Sequence, residues 1–234
     1  MAFPVPSLLA CDHGAVWDSL EPLLRSRRVH RLHFDAMDGH FVPNFGFSPQ
    51  LLRDLDSHIR LCQLPRPRFD VHLMVQHPEK VWPIFWEAGA DGISFHGECC
   101  PDPLALAREL RALGLHCAMA LRPESPLELA LACGPLLDEL LLLGVSPGFG
   151  GQPAVGGLVE RVERAAELRR ERNLNFSLAV DGGVNRQTLG PLAAAGMDIP
   201  IAGSAILGQD DPVRALAELG KIFEENRLPS PGRS

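Results

Sequence analysis

Lysine is almost missing from this chain: Lys80 and Lys221 are the only two in 234 residues. Both fall in stretches with helical patterning, so no amine is placed at an inward strand position to form a Schiff base. Excess positive charge is lacking too. The net charge of -7 excludes a general affinity for nucleic acid or for an anionic membrane, while leaving room for a local anion site. No run of about 18 apolar residues is available to span a bilayer. The N-terminal stretch "MAFPVPSLLACDHG" has no basic region and is interrupted by two prolines, so no secretory signal is expected. The six cysteines show no CxxC spacing, and the adjacent Cys99 and Cys100 read as small apolar filler and a loop residue. A reducing, cytoplasmic location is the expectation. A glycine-rich dinucleotide fingerprint after the first strand is also absent, which disfavours a doubly wound open sheet.

What is present is an eightfold alternation. Strand-like runs at 5–10, 31–38, 68–75, 92–98, 116–123, 139–147, 176–183 and 199–207 are separated by helical stretches. One of these stretches is "SPLELALACG" (125–134), another "NRQTLGPLAAAG" (185–196). Pro78, Pro103 and Pro212 sit where a first helical turn tolerates them, and Gly89, Gly114 and Gly196 sit where helices end. Alternation of this kind implies parallel strands with crossover helices. Eight units in this length predict a single (β/α)8 TIM barrel over residues 1–227, with a flexible polar tail at 228–234.

The odd residues fall on a few strands. In "LHFDAMDGHFVPN" (32–44), Leu32, Phe34 and Ala36 alternate with His33, Asp35 and Met37. Asp70, His72 and Met74 share one face of the third strand, and Asp181 ends the seventh. A lone strand histidine is ordinarily a core residue. Four groups on three strand ends, all inward by parity, instead favour convergence: His33, Asp35, His72 and Asp181 would hold one divalent transition metal such as Zn, Fe(II), Mn or Co. His96 in "FHGE" is placed as a partner behind that site, and His40 as a loop hydrogen-bonding residue. His13, His30, His58, His77 and His116 read as surface or turn residues. Glycine clusters in "SPGFGGQ" (146–152), "DGG" (181–183) and "AGS" (202–204) supply free backbone amides for a phosphate, helped by a short helix starting near Ser204. Metal on one side of a barrel mouth and phosphate on the other describe an enzyme for a small phosphorylated metabolite. Two carboxylates beside a metal suit proton abstraction next to a carbonyl.

From "PSLLACD" (6–12) to "AGSAILG" (202–208) the chain resembles the ribulose-phosphate 3-epimerase family. The motifs that carry the resemblance are "HFDAMDGHFVPN", "DVHLM", "FHGE", "SPGFGGQ", "VDGG" and "AGSAI". The resemblance implies interconversion of D-ribulose 5-phosphate and D-xylulose 5-phosphate, in the pentose phosphate pathway, through a metal-stabilised enediolate. It places the metal ligands at His33, Asp35, His72 and Asp181, and the acid/base pair at Asp35 and Asp181. Ser7 and His72 match substrate contacts. Gly148, Phe149, Gly150, Gly151, Gly182, Gly183, Gly203 and Ser204 match the phosphate region. Met37 and Met74 match methionines that shield the intermediate, while Leu143 stands where a third is usual. The "NFGFSP" loop and Ala154, where the family commonly has phenylalanine, are further departures; the "GFGG" loop (148–151) is long enough to act as a lid over the site, and Gly156 and Gly157 are expected to loosen it. The family also implies a homo-oligomer. A hexulose-phosphate 3-epimerase, acting for example on allulose 6-phosphate, is the nearest rival, and a non-catalytic phosphosugar-binding barrel is another.

Overall fold

The computed structural model describes residues 3–228. The expected flexible tail, Leu228 apart, lies outside the described residues. In chain order the elements are β1 (Val5–Pro6), α1 (Val16–Arg25), β2 (Arg31–Met37), α2 (Pro49–Leu61), β3 (Arg68–Met74), α3 (Pro78–Glu87), β4 (Gly92–His96) and α4 (Pro103–Ala112). They continue with β5 (His116–Leu121), β6 (Glu139–Leu143), α5 (Leu158–Glu171), β7 (Ser177–Asp181), α6 (Leu189–Ala194), β8 (Ile199–Ala202) and α7 (Pro212–Asn226). All eight strands pair in parallel in the order β1-β8-β7-β6-β5-β4-β3-β2, and a bridge between Ser7 and His33 brings the two ends together. The result is the (β/α)8 barrel that the alternation predicts.

Parity divides each strand between two environments. Leu32, Phe34 and Ala36 of β2 belong to the large apolar layer shared with helix residues such as Leu20, Leu24, Leu52 and Ile59. The alternate set faces the barrel interior. There a small apolar cluster of Val5, Ala120, Leu141, Leu143, Ala179 and Ile201 fills one part. The polar residues of β2 and β3 fill the rest, with Asp35 in register with His72. Two of the helix starts match the sequence closely. Asp102 and Asp211 accept the amides of Ala105 and Arg214, each just ahead of a proline.

Four expectations are corrected. The stretch 125–134 is not an α-helix; two 3-10 turns, Leu127–Ala130 and Gly134–Leu136, make that crossover. Gly134 followed by Pro135 breaks the helical path, because proline lacks a donor and disfavours helical geometry before it. α6 is only Leu189–Ala194, since the Asn185 side chain accepts the amides of Gln187 and Thr188 in a turn that occupies the preceding residues. No helix begins at Ser204: Ile206 and Leu207 both donate to the Gly203 carbonyl in a single turn. The strands also stop earlier than the apolar runs, as at Leu143, where Gly144 turns away and donates to the Asp181 carbonyl.

His116 is corrected as well. It is only partly exposed and borders a buried ionic cluster at the end of the barrel opposite Asp181. Arg31 makes a bidentate pair with Glu139, Nη1–Oε2 2.5 Å and Nη2–Oε1 2.9 Å, and also pairs with Asp70. His116 Nε2 lies 3.4 Å from Glu139 Oε2. Burial opposes the Glu139 charge, yet Arg31 and His116 hold its carboxyl far below the usual range. Gly92 sits inside this layer because a Cβ there would lie 2.1 Å from Asp70 Oδ1.

Candidate active site

His33, Asp35 and His72 project from adjacent strands into the barrel and are almost wholly buried, at 0, 2 and 0 % exposure. Asp181 arrives from β7, three strands away, at the cavity floor. Each of the four offers one donor atom, and these atoms all lie within 4.8 Å of one another. His33 Nε2 is 3.3 Å from Asp35 Oδ1 and 3.5 Å from Asp181 Oδ2. His72 Nδ1 is 3.1 Å from Asp35 Oδ1 and 4.0 Å from Asp181 Oδ2. The remaining Asp35 oxygen, Oδ2, accepts the Ser7 hydroxyl at 3.0 Å.

This cluster is electrostatically incomplete. Neither ring nitrogen of the buried His33 has a well-aligned hydrogen-bond partner, although two carboxylates stand within 3.5 Å of Nε2. Burial opposes protonation of His33, but Asp35 and Asp181 outweigh it and push the imidazole up to about 10. Burial likewise opposes the Asp35 charge, and His33 and His72 hold that carboxyl far below its ordinary range. Two carboxylates and two imidazoles gathered in this buried cluster make it a candidate site for a cation. Two imidazole nitrogens and two carboxylate oxygens around one point are the donor set of a borderline divalent ion such as zinc or Fe(II). The residues present fit such an ion.

Above the cluster a cavity, partly open to solvent, is lined by Ser7, Asp35, His72 and Asp181 on its floor. Met74 and Leu143 form part of its wall, and Gly148, Phe149, Gly150, Gly151, Gly182, Gly183, Gly203 and Ser204 all border it. His33 and Met37 are not on its surface. His33 lies beneath the carboxylates, and Met37 packs with Met74 and Val42. Among the described residues no lysine or arginine lines the cavity. The amides of Gly183, Gly203 and Ser204 donate to no acceptor among the described residues, so they remain available to an anion. Gly183 needs its positive φ of 70°, and a Cβ there would lie 2.6 Å from the Cβ of Ala154. The small Ala154 thus lets the "DGG" turn and the lid segment approach closely.

Residues that sequence reasoning left out complete the site. Asn44 Nδ2 donates to the Gly148 carbonyl at 2.6 Å and ties the β2 loop to the β6 loop. Gln152 Nε2 donates to the carbonyls of Ser146 and Phe149, closing the latter loop on itself. Gly157, expected to loosen the lid, adopts φ 80° as the residue that caps the start of α5. His96 is fully buried behind His72, as anticipated, and Glu98, which was not singled out, stands behind it. The Asn44 and Glu98 roles have a sequence signal in the ends of "FVPN" and "FHGE", but their partners depend on loop paths that spacing does not reveal. None of the six cysteines, all among the described residues, lines the cavity, and burial pushes Cys11 and Cys100 up to about 11 and Cys99 and Cys117 up to about 12.

Residues 5–207 match the model of the ribulose-phosphate 3 epimerase family. A ribulose-phosphate 3-epimerase of Mycobacterium tuberculosis is 36 % identical over 214 residues, covering 92 % of this chain and 90 % of the relative. That of Bacillus subtilis is 32 % identical, covering 92 % and 96 %. Among solved structures, KGPDC from Streptococcus mutans superposes with a TM-score of 0.69 at 12 % identity, covering 96 % of this chain and 98 % of that one. A 3-hexulose-6-phosphate synthase gives 0.62 at 19 %, covering 95 % and 97 %. At these identities the two structures speak for the barrel alone.

Proposed function

This chain belongs to the ribulose-phosphate 3-epimerase family, and from that premise we propose that it interconverts D-ribulose 5-phosphate and D-xylulose 5-phosphate by proton transfer at C3. The observation that carries the reading is the pairing of Asp35 and Asp181. They approach one centre from strands on different sides of the barrel, at the floor of a cavity whose other side offers free amides. Inverting a carbon requires a proton to leave one face and another to arrive at the opposite face. One base tends to restore the starting configuration; two carboxylates on opposite sides do not. Asp181 is the more open of the two, with 18 % of its side chain exposed towards the cavity. Asp35 is held by the Ser7 hydroxyl, so its carboxylate meets the substrate in a fixed orientation.

His33, Asp35, His72 and Asp181 would hold the divalent ion. When bound, it would supply Lewis-acid stabilisation for the charge that develops on the sugar oxygens as C3 loses its proton. Met74 and Leu143 keep water from the reacting carbon, and Met37 backs Met74. The amides of Gly183, Gly203 and Ser204 anchor the phosphate, and the loop through Gly150 covers it. The absence of a lysine from the cavity wall leaves Schiff-base chemistry without an amine. Work in a reducing cytoplasm fits the six free cysteines, and no helix among the described residues is long and apolar enough to cross a membrane. A homo-oligomer, expected from the family, is tested by sedimentation of the purified protein.

The test of function is a product-ratio assay with D-ribulose 5-phosphate and D-allulose 6-phosphate. A preference for the pentose of at least about tenfold in kcat/KM, or roughly 1.4 kcal/mol in transition-state binding, is expected. A preference for the hexose transfers the assignment to the rival epimerase. No turnover of either, with the sugar phosphate still bound, assigns a binding protein instead.

A further inference from the structure

Behind His72 runs a line of polar groups that the proposed proton transfers leave unused. His72 presents Nδ1 to Asp35 Oδ1 at 3.1 Å and Nε2 to His96 Nε2 at 3.0 Å. His96 Nδ1 lies 3.0 Å from Glu98 Oε2. Glu98 Oε1 accepts the backbone amide of Arg122 at 2.7 Å and the Ser125 hydroxyl at 2.5 Å. Arg161 fixes this end by donating to the carbonyls of Arg122 and Ser125 at 3.0 and 2.7 Å. Both imidazoles are fully buried, so water does not substitute for any partner. Neither His96 nor Glu98 lines the sugar cavity.

The direction of every bond in the line is set from its far end. The Arg122 amide can only donate, so Glu98 Oε1 accepts. A carboxylate has no hydrogen to give, so His96 Nδ1 carries one and donates it to Glu98 Oε2. A neutral His96 then keeps its lone pair on Nε2, where it accepts from the Nε2–H of His72. The lone pair of His72 is left on Nδ1, the nitrogen that faces Asp35 and Asp181. We infer that His96 and Glu98 are positioning residues that fix the tautomer of His72 and so dedicate its Nδ1 to the divalent ion. His33 turns Nε2 towards the same carboxylates, so the two histidines would hold the ion through opposite nitrogens. The inference rests on the metal-site reading above and adds to it the residues that set ligand basicity.

Glu98→Gln separates this role from a merely structural one. The Arg122 amide requires the glutamine carbonyl on its side, which turns the glutamine NH2 towards His96. His96 Nδ1 must then accept, its Nε2–H points at His72, and the His72 hydrogen moves to Nδ1, the nitrogen the ion needs. An isosteric residue would rescue a packing role; here it reverses the line. The experiment is a chelator-competition titration of zinc into metal-stripped wild type, Glu98→Gln and Asp181→Asn, with nitrogen NMR of the imidazoles in zinc-loaded wild type. Glu98→Gln is expected to bind zinc about 10–100-fold more weakly than wild type, with the melting temperature of the stripped protein little changed. In zinc-loaded wild type, His72 should carry zinc on Nδ1 and hydrogen on Nε2. Equal affinity of Glu98→Gln and wild type, or zinc on His72 Nε2, overturns the inference and leaves the metal site standing. A wild type that takes up no zinc, or an Asp181→Asn variant as tight as wild type, overturns the metal site itself and the inference with it. Should Glu98→Gln fail to fold, the NMR assignment in wild type decides alone.

Discussion

Asp35 has two jobs within one carboxylate: Oδ1 faces both imidazoles, while Oδ2 takes the Ser7 hydroxyl. Replacing it with asparagine removes the charge and keeps the shape. Asp35→Asn and Asp181→Asn are each expected to lower epimerisation by at least about a hundredfold, the low end of general acid–base contributions. Metal content measured alongside the rate separates loss of the ion from loss of the base. His33, Asp35, His72 and Asp181 were legible in the sequence because strand parity alone decides which face a side chain takes. Ser7 was legible as a site residue through the resemblance, but not as a partner of Asp35. That hydrogen bond joins the first and second strands, whose alignment is set by barrel closure rather than by any local pattern. Glu98 escaped notice for the same reason, since its partners Arg122 and Ser125 lie in the loop after β5.

Among the elements, strands were easier to read than the connections between them. Eight apolar runs marked the strands, but their ends were overrun wherever a glycine such as Gly144 or Gly203 carries the chain out of the sheet. The fifth crossover looked helical because "LELALA" is apolar and rich in good helix formers, yet Gly134 and Pro135 limit it to 3-10 turns. The glycine-rich strand ends were legible as residues that come together, and they do border the cavity, although the helix expected at Ser204 is one turn. The "DGG" turn is the element to test. Gly183→Ala forces a side chain into a positive-φ position and against Ala154. It is expected to raise the Kd for D-ribulose 5-phosphate about tenfold or more, since a hydrogen bond to a charged group contributes about 1.5–3 kcal/mol. Binding of unphosphorylated D-ribulose should not change, and calorimetry of both ligands checks this. Equal weakening for both sugars would move the phosphate elsewhere.

At the scale of the whole molecule, the barrel is polar at both ends of its interior and apolar between. The end opposite the active site is closed by Arg31, Glu139 and Asp70. That plug was not legible, because Arg31 and Glu139 stand at strand starts, where charged residues are ordinarily exposed. Glu139 has its pKa lowered in the folded protein. Its contribution to stability is thus fully present above the unfolded carboxyl's value of about 4.5 and is lost as pH falls below it. Glu139→Gln is expected to cost about 3 kcal/mol near neutral pH, the low end for removing one partner of a buried pair, because Asp70 still faces Arg31. Urea unfolding at pH 7 and pH 4 should show the variant losing less stability on acidification than wild type. An equal loss would place the acid sensitivity in other carboxylates.

The central claim, that two carboxylates invert C3, is tested most directly by proton NMR of D-ribulose 5-phosphate in heavy water. Metal-loaded wild type, Asp35→Asn and Asp181→Asn would be compared side by side. Wild type is expected to form D-xylulose 5-phosphate carrying solvent deuterium at C3. At least one variant that keeps its metal should exchange deuterium into unreacted substrate faster than it forms product, because one face retains its base while the other has lost its acid. Wild-type product that retains the original C3 hydrogen, or a metal-replete variant that epimerises at nearly the wild-type rate, would contradict the two-carboxylate account.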